Sequence, residues 1–390
     1  MRVLYVLGST MMAGSTISFK VIVDGMLSKG CEPIVLVSRN NVNKDFVDYL
    51  ISQKCIVEFF EAEMAIYPQH SMEEGYGHIA KFPFRLTRKL FKLYKSNREI
   101  KLLIKKHNPD IVHTNVGVFY YVAEYCIKKN IPHLLHLREY QTKDFGWHIM
   151  PSKHRFKKIA AATNVVAITE DILRYFNLEY SKNAKAIWDG ILPQNDTVYK
   201  HHKQPFFLCA NRISPEKNIE DVIKGFANVA DQLSNYKLLI VGKIHNKLYY
   251  EKLQMIVREL KCKDRIEFQD HRHDVVNLME DATALIVASR FEGLGRMTIE
   301  ATFKGCLVIG RNKGGTKEII STTKGGYLFN DAVQMGRQML LTASIANTEQ
   351  YEKKIQQASK IAVERCTNEN YCNTIFALYK NILSNQQPAL

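Results

Sequence analysis

Short apolar runs alternate with amphipathic stretches along most of the chain, and this alternation predicts parallel β-sheets with helical connections. In the first half, the pattern predicts strands at 3–7, 33–37, 111–113 and 133–137, and helices at 15–28 and 46–53. In the second half, it predicts strands at 206–210, 238–241, 266–268, 284–288 and 307–309, and a helix at 296–304. Two α/β units follow, because the rhythm stops and restarts between the halves.

The segment 192–205 marks the boundary between the two units. It is polar, contains two prolines and is poor in strand-forming residues. A chain of 390 residues is also longer than one ordinary hydrophobic core requires. We therefore predict a first domain over 1–192 and a second domain over 206–368.

The composition is that of a folded globular protein, because hydrophobic residues make up 46% of the chain and no low-complexity tract appears. The longest uncharged apolar runs, such as 282–288, are far shorter than the roughly 20 residues that span a bilayer. Met1 and Arg2 lead directly into the first strand, and no secretory signal is evident. The eight cysteines are scattered without a Cys-x-x-Cys pair, which indicates reduced thiols and a cytoplasmic protein.

The net charge is +15, and much of the excess lies within Lys81–Lys106. This segment has ten basic residues and a single acid, Glu99, and its apolar residues recur at helical intervals. Such a helix can bind anionic lipid, so an anionic membrane surface is a predicted partner. The alternative is a helix that packs its apolar stripe into the core and exposes its basic residues to solvent. One stripe cannot contact both the core and a membrane unless Phe82, Phe84 or Phe91 faces outward. Nucleic-acid binding is disfavoured, because no RNA-binding motif with interleaved exposed aromatics accompanies the charge.

The candidate chemistry is concentrated within 289–315, where two carboxylates, Glu292 and Glu300, flank a glycine-rich turn that precedes a helix. The first backbone N–H groups of a helix have no partner within it, so they can bind phosphate without a metal. Glu300 is expected one turn into the helix, where it can accept hydrogen bonds from a ribose diol. Glu292 is expected on the sugar side. The pattern predicts a nucleotide-sugar site, although two Glu at this spacing also occur by chance.

The whole string resembles the signature of retaining glycosyltransferases of family 4, in the variant typical of polysaccharide assembly. The signature places Glu-x7-Glu after Ser-x-x-Glu-Gly-x-Gly and before Glu-Ala-x-x-x-Gly, and it is matched by Ser289, Glu292, Gly293, Gly295, Glu300, Ala301 and Gly305. The resemblance covers nearly the whole chain and is specific mainly over 206–318. It implies the GT-B fold, with two Rossmann-like domains whose parallel sheets face each other across a cleft. It also implies that a helix in a final segment, 369–390, crosses back onto the first domain.

The same resemblance implies which residues form the site. Arg212 and Lys217 match a Gly-Arg-x-x-x-x-Lys motif whose cations bind the donor diphosphate, although Asn211 replaces the usual glycine. The donor site is completed by Gly293, Leu294, Gly295, Arg296 and Glu300. The catalytic residues are expected to be His136, at the end of a strand in the first domain, and Glu292, through a hydrogen bond to the donor sugar. Contacts to the acceptor or the sugar are expected from Gly14, Ser15, Arg138 and Glu139.

The implied reaction is retaining transfer of a hexosyl unit from a nucleoside diphosphate sugar to a lipid-linked cell-surface polysaccharide, such as a capsule or exopolysaccharide. UDP is the favoured nucleotide and GDP the alternative. No cofactor and no metal are expected, because no Asp-x-Asp motif is present to hold a divalent ion against the diphosphate. The protein is expected in the cytoplasm, as a peripheral protein on the inner face of the plasma membrane.

Two other enzyme classes were weighed against this one. A nicotinamide dehydrogenase is disfavoured, because residues 8–14 lack the Gly-x-Gly-x-x-Gly spacing after the first strand. A GT-B epimerase or hydrolase that acts on the sugar nucleotide is the alternative enzyme, and the string Arg-Met-Thr-Ile-Glu at 296–300 weighs against it. Transfer to a saccharide acceptor is therefore the predicted activity.

Overall fold

The computed structural model of the chain describes residues 1–40, 42–68, 81–197 and 199–385. It divides into two compact units, of which the first comprises Met1–Gly190 with the chain from Asn368 onward, and the second comprises Ile191–Thr367. Each unit has its own parallel sheet. The predicted class, α/β with two Rossmann-like parallel-sheet domains, is confirmed.

The first unit is built on a sheet in which the described strands have the order β3-β2-β1-β4-β5-β6-β7. These strands are β1 (Arg2–Leu7), β2 (Glu32–Ser38), β3 (Ile56–Phe60), β4 (Ile111–Thr114), β5 (His133–Leu137), β6 (Asn164–Ala167) and β7 (Ala184–Ala186). The helices of this region are α1 (Gly14–Leu27), α2 (Lys44–Ser52), α3 (Phe82–His107), α4 (Tyr121–Lys129), α5 (Thr142–Phe145), α6 (Lys153–Ala161) and α7 (Glu170–Phe176). Every strand and helix predicted in the first half is present, whereas β3, β6 and β7 were not predicted.

The second unit has a sheet of the same kind, in the order β10-β9-β8-β11-β12-β13. Its strands are β8 (Gln204–Ala210), β9 (Lys237–Val241), β10 (Ile266–Gln269), β11 (Ala282–Val287), β12 (Leu307–Arg311) and β13 (Gly326–Phe329). Its helices are α8 (Ile219–Ala227), α9 (Lys247–Arg258), α10 (Val275–Asp281), α11 (Arg296–Phe303), α12 (Gly314–Thr323), α13 (Ala332–Ile345) and α14 (Glu349–Cys366). The five predicted strands and the predicted helix at 296–304 are all observed.

The first strand of each unit lies inside its sheet, so the strand order reverses between β1 and β4 and between β8 and β11. In open parallel sheets, ligands bind beyond the carboxyl ends of the strands at such a reversal. The strands at these positions are almost entirely buried, which fits helices on both faces. The loops that follow β1, β4, β8 and β11 are therefore the places to look for function.

The last helix, α15 (Asn368–Ser384), groups with the first unit rather than with the residues that precede it. It packs Tyr371, Ile375 and Tyr379 into the same core as Phe19 and Ile22 of α1. All eight cysteines of the chain are buried, and none of them forms a disulfide. None of the described helices is both long and apolar enough to span a bilayer.

Candidate active site

In the second unit, a tight turn connects the end of β11 to the start of α11. Gly295 precedes α11 with φ of 79°, in the left-handed region that glycine adopts most easily. The turn is braced by the start of α12, because the Gly315 N–H donates to the Glu292 carbonyl at 2.9 Å. A Cβ on Gly315 would collide with the Leu294 carbonyl oxygen and lie 2.5 Å from that of Gly293. The two helix starts are therefore held side by side only because residue 315 has no side chain.

The start of α11 has the features of an anion site. No acidic residue lies in its first turn, so the positive end of the helix dipole is not neutralised there. Glu300 lies one turn further on, as predicted, and its carboxylate is 4.0 Å from the Arg296 guanidinium. Burial raises the pKa of Glu300, and the Arg296 charge opposes this shift. The predicted donor-site residues of the turn and helix are thus close together.

The two sequence motifs of the second unit meet through an ion pair. Lys217, which follows β8, donates to the Glu292 carboxylate at 2.6 Å, and the two side chains are 13% and 21% exposed. The backbone supports this contact, because the Arg290 N–H donates to the Glu216 carbonyl at 3.0 Å. Lys217, predicted to bind the donor, and Glu292, predicted to be catalytic, are therefore in direct contact. Arg212 is more exposed and lies 3.8 Å from Glu216.

Three buried hydroxyl groups surround the same turn. The hydroxyls of Ser289, Thr298 and Thr316 have no hydrogen-bond partner within the described part of the chain. A Cβ on Gly295 would lie 3.1 Å from the Thr316 hydroxyl and 3.3 Å from that of Thr298. Both threonines are the third residue of their helices, α11 and α12. Sequence analysis assigned no role to Thr298 or Thr316, although a hydroxyl at the same place in two adjacent helix starts is a usable signal.

In the first unit, His136 lies on β5 and is buried against a second histidine. Its Nδ1 is 3.3 Å from His113 Nε2 on β4 and 3.3 Å from an Arg138 guanidinium nitrogen. The two imidazole rings stack with centroids 5.4 Å apart. Burial holds the pKa of both histidines well below the usual value, and the Arg138 charge adds to the effect. Both imidazoles are therefore neutral near pH 7.

Arg138 is buried and fully engaged, where the sequence predicted a contact to acceptor or sugar. One terminal nitrogen donates to both oxygens of Asp189 at 2.8 Å, and the two side chains are 3% and 5% exposed. Its Nε donates to the carbonyl and side-chain oxygens of Asn115 at 3.1 Å. Asp189 also accepts from Ser18 at 2.8 Å and from Tyr371 at 3.1 Å. The structure thus places Arg138 among the internal supports of this region.

The remaining predicted residues of the first unit lie at strand and helix ends. Glu139 follows Arg138, and burial together with the Asp144 charge raises the pKa of its carboxyl to about 7 against the opposing effect of Arg138. Gly14 and Ser15 begin α1, whose first turn contains no acidic residue. Gly14 is exposed and Ser15 is partly buried. A role for these residues in binding acceptor or sugar stays a prediction.

The described residues contain no group of three or more His, Cys, Asp or Glu side chains that could hold a metal ion. The charged side chains of the candidate site are paired differently: Lys217 faces the carboxylate of Glu292, Arg296 faces that of Glu300, and Arg212 lies near that of Glu216.

Residues 194–361 match the family model described as glycosyl transferases group 1. The match lies within the second unit of the chain. The matched segment includes the Lys217–Glu292 pair and the starts of α11 and α12, whereas His136, Arg138, Glu139, Gly14 and Ser15 lie outside it. Assignment to family 4, and to its polysaccharide-assembly branch, stays a prediction.

The chain is also similar in sequence to characterised and uncharacterised proteins. An uncharacterized glycosyltransferase of Methanocaldococcus jannaschii is 24% identical over 260 residues, which cover 64% of this chain and 68% of the relative. The N-acetyl-alpha-D-glucosaminyl L-malate synthase of Bacillus anthracis is 23% identical over 167 residues, and the alignment spans 43% of each chain. The chain therefore matches less than half the length of the second relative.

Solved structures extend the likeness of fold to the whole chain. Anabaena HepE, crystallised in complex with UDP, superposes with a TM-score of 0.75 at 16% identity and covers 98% of this chain and 100% of its own. A glycosyltransferase from Rickettsia africae superposes with a TM-score of 0.73 at 19% identity, covering 98% of this chain and 99% of its own. Both units of the chain thus have the architecture of GT-B structures.

A separate feature of the chain is α3, which has two different faces. Its inner face buries Ser96, Ile100, Ile104 and His107. Three of its lysines form ion pairs with glutamates, namely Lys89 with Glu63, Lys95 with Glu61 and Lys106 with Glu58. The effective charge of the segment is therefore lower than the count from sequence, because these glutamates follow or belong to β3 rather than the helix.

The opposite side, the outer face of α3, combines aromatic and basic residues: Phe84, Arg88, Phe91, Tyr94, Arg98, Leu102 and Lys105. Phe84 is 73% exposed and Phe91 is 68% exposed. At about 100° per residue, spacings of seven and eleven place Phe84, Phe91 and Leu102 on one line along the helix. Beside it lies a shallow groove of about 280 Å³, lined by Tyr94, Asn97, Arg98, Lys101, Leu102 and Lys105. The helix therefore packs into the core and also presents a second apolar stripe outward.

Proposed function

We propose that this chain transfers a hexosyl unit from a nucleoside diphosphate sugar to a saccharide acceptor, with retention at the anomeric carbon and without a metal. The observation that carries the proposal is the Lys217–Glu292 ion pair beside the paired starts of α11 and α12. It combines a cation, a carboxylate and helix N–H groups, which are the groups that a sugar diphosphate requires.

In the proposed mechanism, the diphosphate takes Lys217 as its counter-ion in place of Glu292. The Glu292 carboxylate then accepts a hydrogen bond from the donor sugar. Negative charge grows on the β-phosphate as the bond from the anomeric carbon to the phosphate oxygen breaks, so Lys217, Arg212 and the start of α11 stabilise the transition state more than the ground state. The leaving phosphate takes the proton of the acceptor hydroxyl on the same face, and the new glycosidic bond forms where the old one broke.

UDP is the proposed nucleotide, with GDP as the alternative. We expect Glu300 to accept hydrogen bonds from the ribose diol, which both nucleotides contain, so the preference for UDP is supported by the relatives alone. Anabaena HepE was also crystallised with UDP and glucose. The poly(glycerol-phosphate) alpha-glucosyltransferase of Bacillus subtilis is 25% identical over 179 residues, 45% of this chain and 26% of its own. Its product is an α-glucoside by name, which favours the same stereochemistry here.

The proposed acceptor is a lipid-linked polysaccharide, such as the precursor of a capsule or exopolysaccharide, on the inner face of the plasma membrane. The support is the outer face of α3, where exposed Phe84 and Phe91 lie beside Arg88, Arg98 and Lys105. Apolar side chains insert at the boundary of headgroups and acyl chains, and each nearby cation adds about 1 kcal/mol on an anionic leaflet. An anionic lipid surface satisfies both kinds of side chain at once.

The donor site is tested by thermal unfolding of wild type and Glu300→Ala with UDP, GDP, their common sugar conjugates and NAD. A ligand at a hundred times its Kd stabilises the protein by about 2.7 kcal/mol. We expect UDP and one UDP-sugar to raise the Tm of wild type, and Glu300→Ala to lose most of this shift. Glu259→Ala, the same change at an exposed position on α9's end, is the control and should respond like wild type. No shift with any nucleotide sugar in a folded protein would contradict the proposal.

The membrane surface is tested by co-sedimentation with phosphatidylglycerol vesicles. Phe84→Ser with Phe91→Ser should reduce binding at every salt concentration, whereas Arg88→Gln with Arg98→Gln should reduce it mainly at low salt, where charge is least screened. Leu248→Ser is the matched control, since Leu248 is also strongly exposed but has been assigned to no surface. Binding that is unchanged in both double variants would exclude the outer face of α3 as the docking site.

A further inference from the structure

Arg138 fixes the orientation of two neighbouring side chains, because a guanidinium has five N–H donors and no acceptor. The atom of Asn115 that faces Arg138 Nε at 3.1 Å must be the amide oxygen. The ring nitrogen of His136 that faces Arg138 Nη2 at 3.3 Å must likewise accept, so Nδ1 carries no proton. A neutral imidazole has one N–H, and that proton is therefore on Nε2.

The neighbouring histidine is consistent with this assignment. His113 Nε2 also lies 3.3 Å from His136 Nδ1, so it must be the donor of that contact. His113 Nδ1 is then an acceptor, and it requires the O–H of Tyr379 of α15, whose oxygen is 2.6 Å away. The longer contact of 3.4 Å between the Tyr379 and Tyr5 hydroxyls must then use the Tyr5 proton, because Tyr379 has only one. Two donors share the single lone pair of His136 Nδ1, and this sharing explains why both contacts are as long as 3.3 Å. Both Arg138 and His113 therefore donate to His136 Nδ1.

Both side chains are left with a buried donor that has no partner. Asn115 Nδ2 and His136 Nε2 form no hydrogen bond to any residue among those described, and both side chains are inaccessible to solvent. A buried N–H without a partner lowers the stability of the fold by about 1–3 kcal/mol. We therefore expect a bound molecule to supply an acceptor for each of these donors. Asn115 directly follows β4, at the reversal of strand order beside β1, where this kind of sheet binds ligands.

We infer that Asn115 contacts the saccharide together with His136, and that Arg138 orients both side chains so that each presents an N–H donor to it. This inference rests on the proposed function, because it takes the acceptor atoms to be saccharide oxygens. His136 then binds and orients as a neutral donor, and does not serve as a base, since its only lone pair is already occupied. Arg138 is a positioning residue and Asn115 a binding residue that sequence analysis did not identify.

The orientation is tested by 15N NMR of protein labelled at histidine nitrogen, with the His136 signals assigned from His136→Gln. We expect a neutral His136 with Nε2 protonated between pH 6 and 8, and the same state in Tyr379→Phe, which removes the donor to His113 and leaves Arg138 in place. A proton on Nδ1, or an imidazolium, would overturn the inference. So would a change of the His136 state in Tyr379→Phe, because the orientation would then depend on α15 rather than on Arg138.

The contact is tested by Asn115→Asp, which keeps an oxygen for Arg138 and converts the free donor into an acceptor. We expect release of UDP from UDP-glucose, UDP-galactose or UDP-N-acetylglucosamine to fall at least tenfold in kcat, while the affinity for UDP alone is unchanged. Asn130→Asp, the same change at the exposed end of α4, should keep wild-type turnover. His136→Gln, which offers an amide N–H but cannot act as a base, should retain at least ten times the turnover of His136→Ala.

A permanently bound water is the competing explanation, and it predicts that Asn115→Asp keeps wild-type kcat and KM; that result would overturn the contact. Failure of the proposed function is recognised separately. If wild type neither binds UDP nor releases it from any of the three sugars, the saccharide contact falls together with that function. The NMR result on His136 decides the role of Arg138 in either case, because it requires no ligand.

Discussion

Asp189→Asn should strongly destabilise the first unit, because Asp189 is the counter-ion of a buried arginine. Its carboxylate accepts two hydrogen bonds of 2.8 Å from Arg138, one of 2.8 Å from Ser18 and one of 3.1 Å from Tyr371. These donors come from a loop after β5, from α1 and from α15, so one carboxylate ties three parts of the unit together. Asparagine has nearly the same shape but no charge, and its amide nitrogen cannot accept.

The expected cost follows from burial. Removing one partner of a buried ion pair leaves an uncompensated charge and costs about 3–5 kcal/mol. Arg138 meets that condition, since its side chain is only 3% exposed. With a urea m-value of about 2–3 kcal/mol/M, the unfolding midpoint should fall by about 1–2.5 M.

Tryptophan fluorescence during urea unfolding is the appropriate measurement, because both tryptophans of the chain, Trp147 and Trp188, lie in the first unit. The signal therefore follows this unit without interference from the other. Glu32→Gln is the control: Glu32 faces Arg2 at 3.6 Å on the surface, and its loss should cost less than about 1 kcal/mol. If Asp189→Asn also costs less than about 1 kcal/mol at an unchanged slope, the argument from the buried charge is wrong.

Three further outcomes are expected. Lys217→Met should weaken UDP binding at least tenfold, whereas Lys243→Met, at an exposed lysine after β9, should not; equal affinities in an equilibrium titration would contradict the role of Lys217. Gly315→Ala should lower both Tm and UDP affinity, because its methyl group cannot fit against the Gly293 and Leu294 carbonyls; a variant with wild-type Tm and affinity would show that the turn can yield. Glu139→Gln should change the pH dependence of stability. The carboxyl pKa is raised from 4.5 to about 7 in the folded state, so wild type binds the proton more tightly folded than unfolded and loses stability as pH rises through that window. The Gln variant should lack this loss, and parallel urea midpoints from pH 4.5 to 8 for both proteins would refute the shift.

Sequence patterns predicted most of the central strands and the edge strand β10, and they missed β3, β6, β7 and β13. Strands buried on both faces, such as β1 and β11, are continuous apolar runs that stand out from their surroundings. The sheet edges β3, β7 and β13 contain exposed or partly exposed positions, so their patterns resemble those of loops.

The two faces of α3 illustrate a different difficulty. Sequence analysis found one amphipathic helix and left open whether its apolar stripe met core or lipid. The structure shows two apolar stripes, one around Ile100 and one around Phe84 and Phe91. Several lysines are also neutralised by glutamates distant in sequence, such as Lys95 by Glu61. Pairing of this kind depends on which elements pack together, and net charge along the chain cannot reveal it.

The arrangement of the candidate site in the second unit could largely be predicted from the sequence alone. The arrangement of Glu292, the glycine turn and Glu300 is local: it consists of a left-handed glycine, a helix start and a spacing of eight residues. Such features are encoded within a short stretch, because backbone sterics and hydrogen bonding fix them before any tertiary contact forms.

In the first unit, the roles of the candidate site residues depend on tertiary structure. His136 and Arg138 are only two positions apart, yet their roles depend on Asn115, Asp189 and Tyr379, which come from distant parts of the chain. Whether an arginine meets a ligand or supports a neighbour depends on whether folding supplies it with acceptors inside the core. Which acceptors surround an arginine depends on how the chain packs. A buried charge or donor without a partner lowers stability, so the fold that forms is one in which such groups are paired.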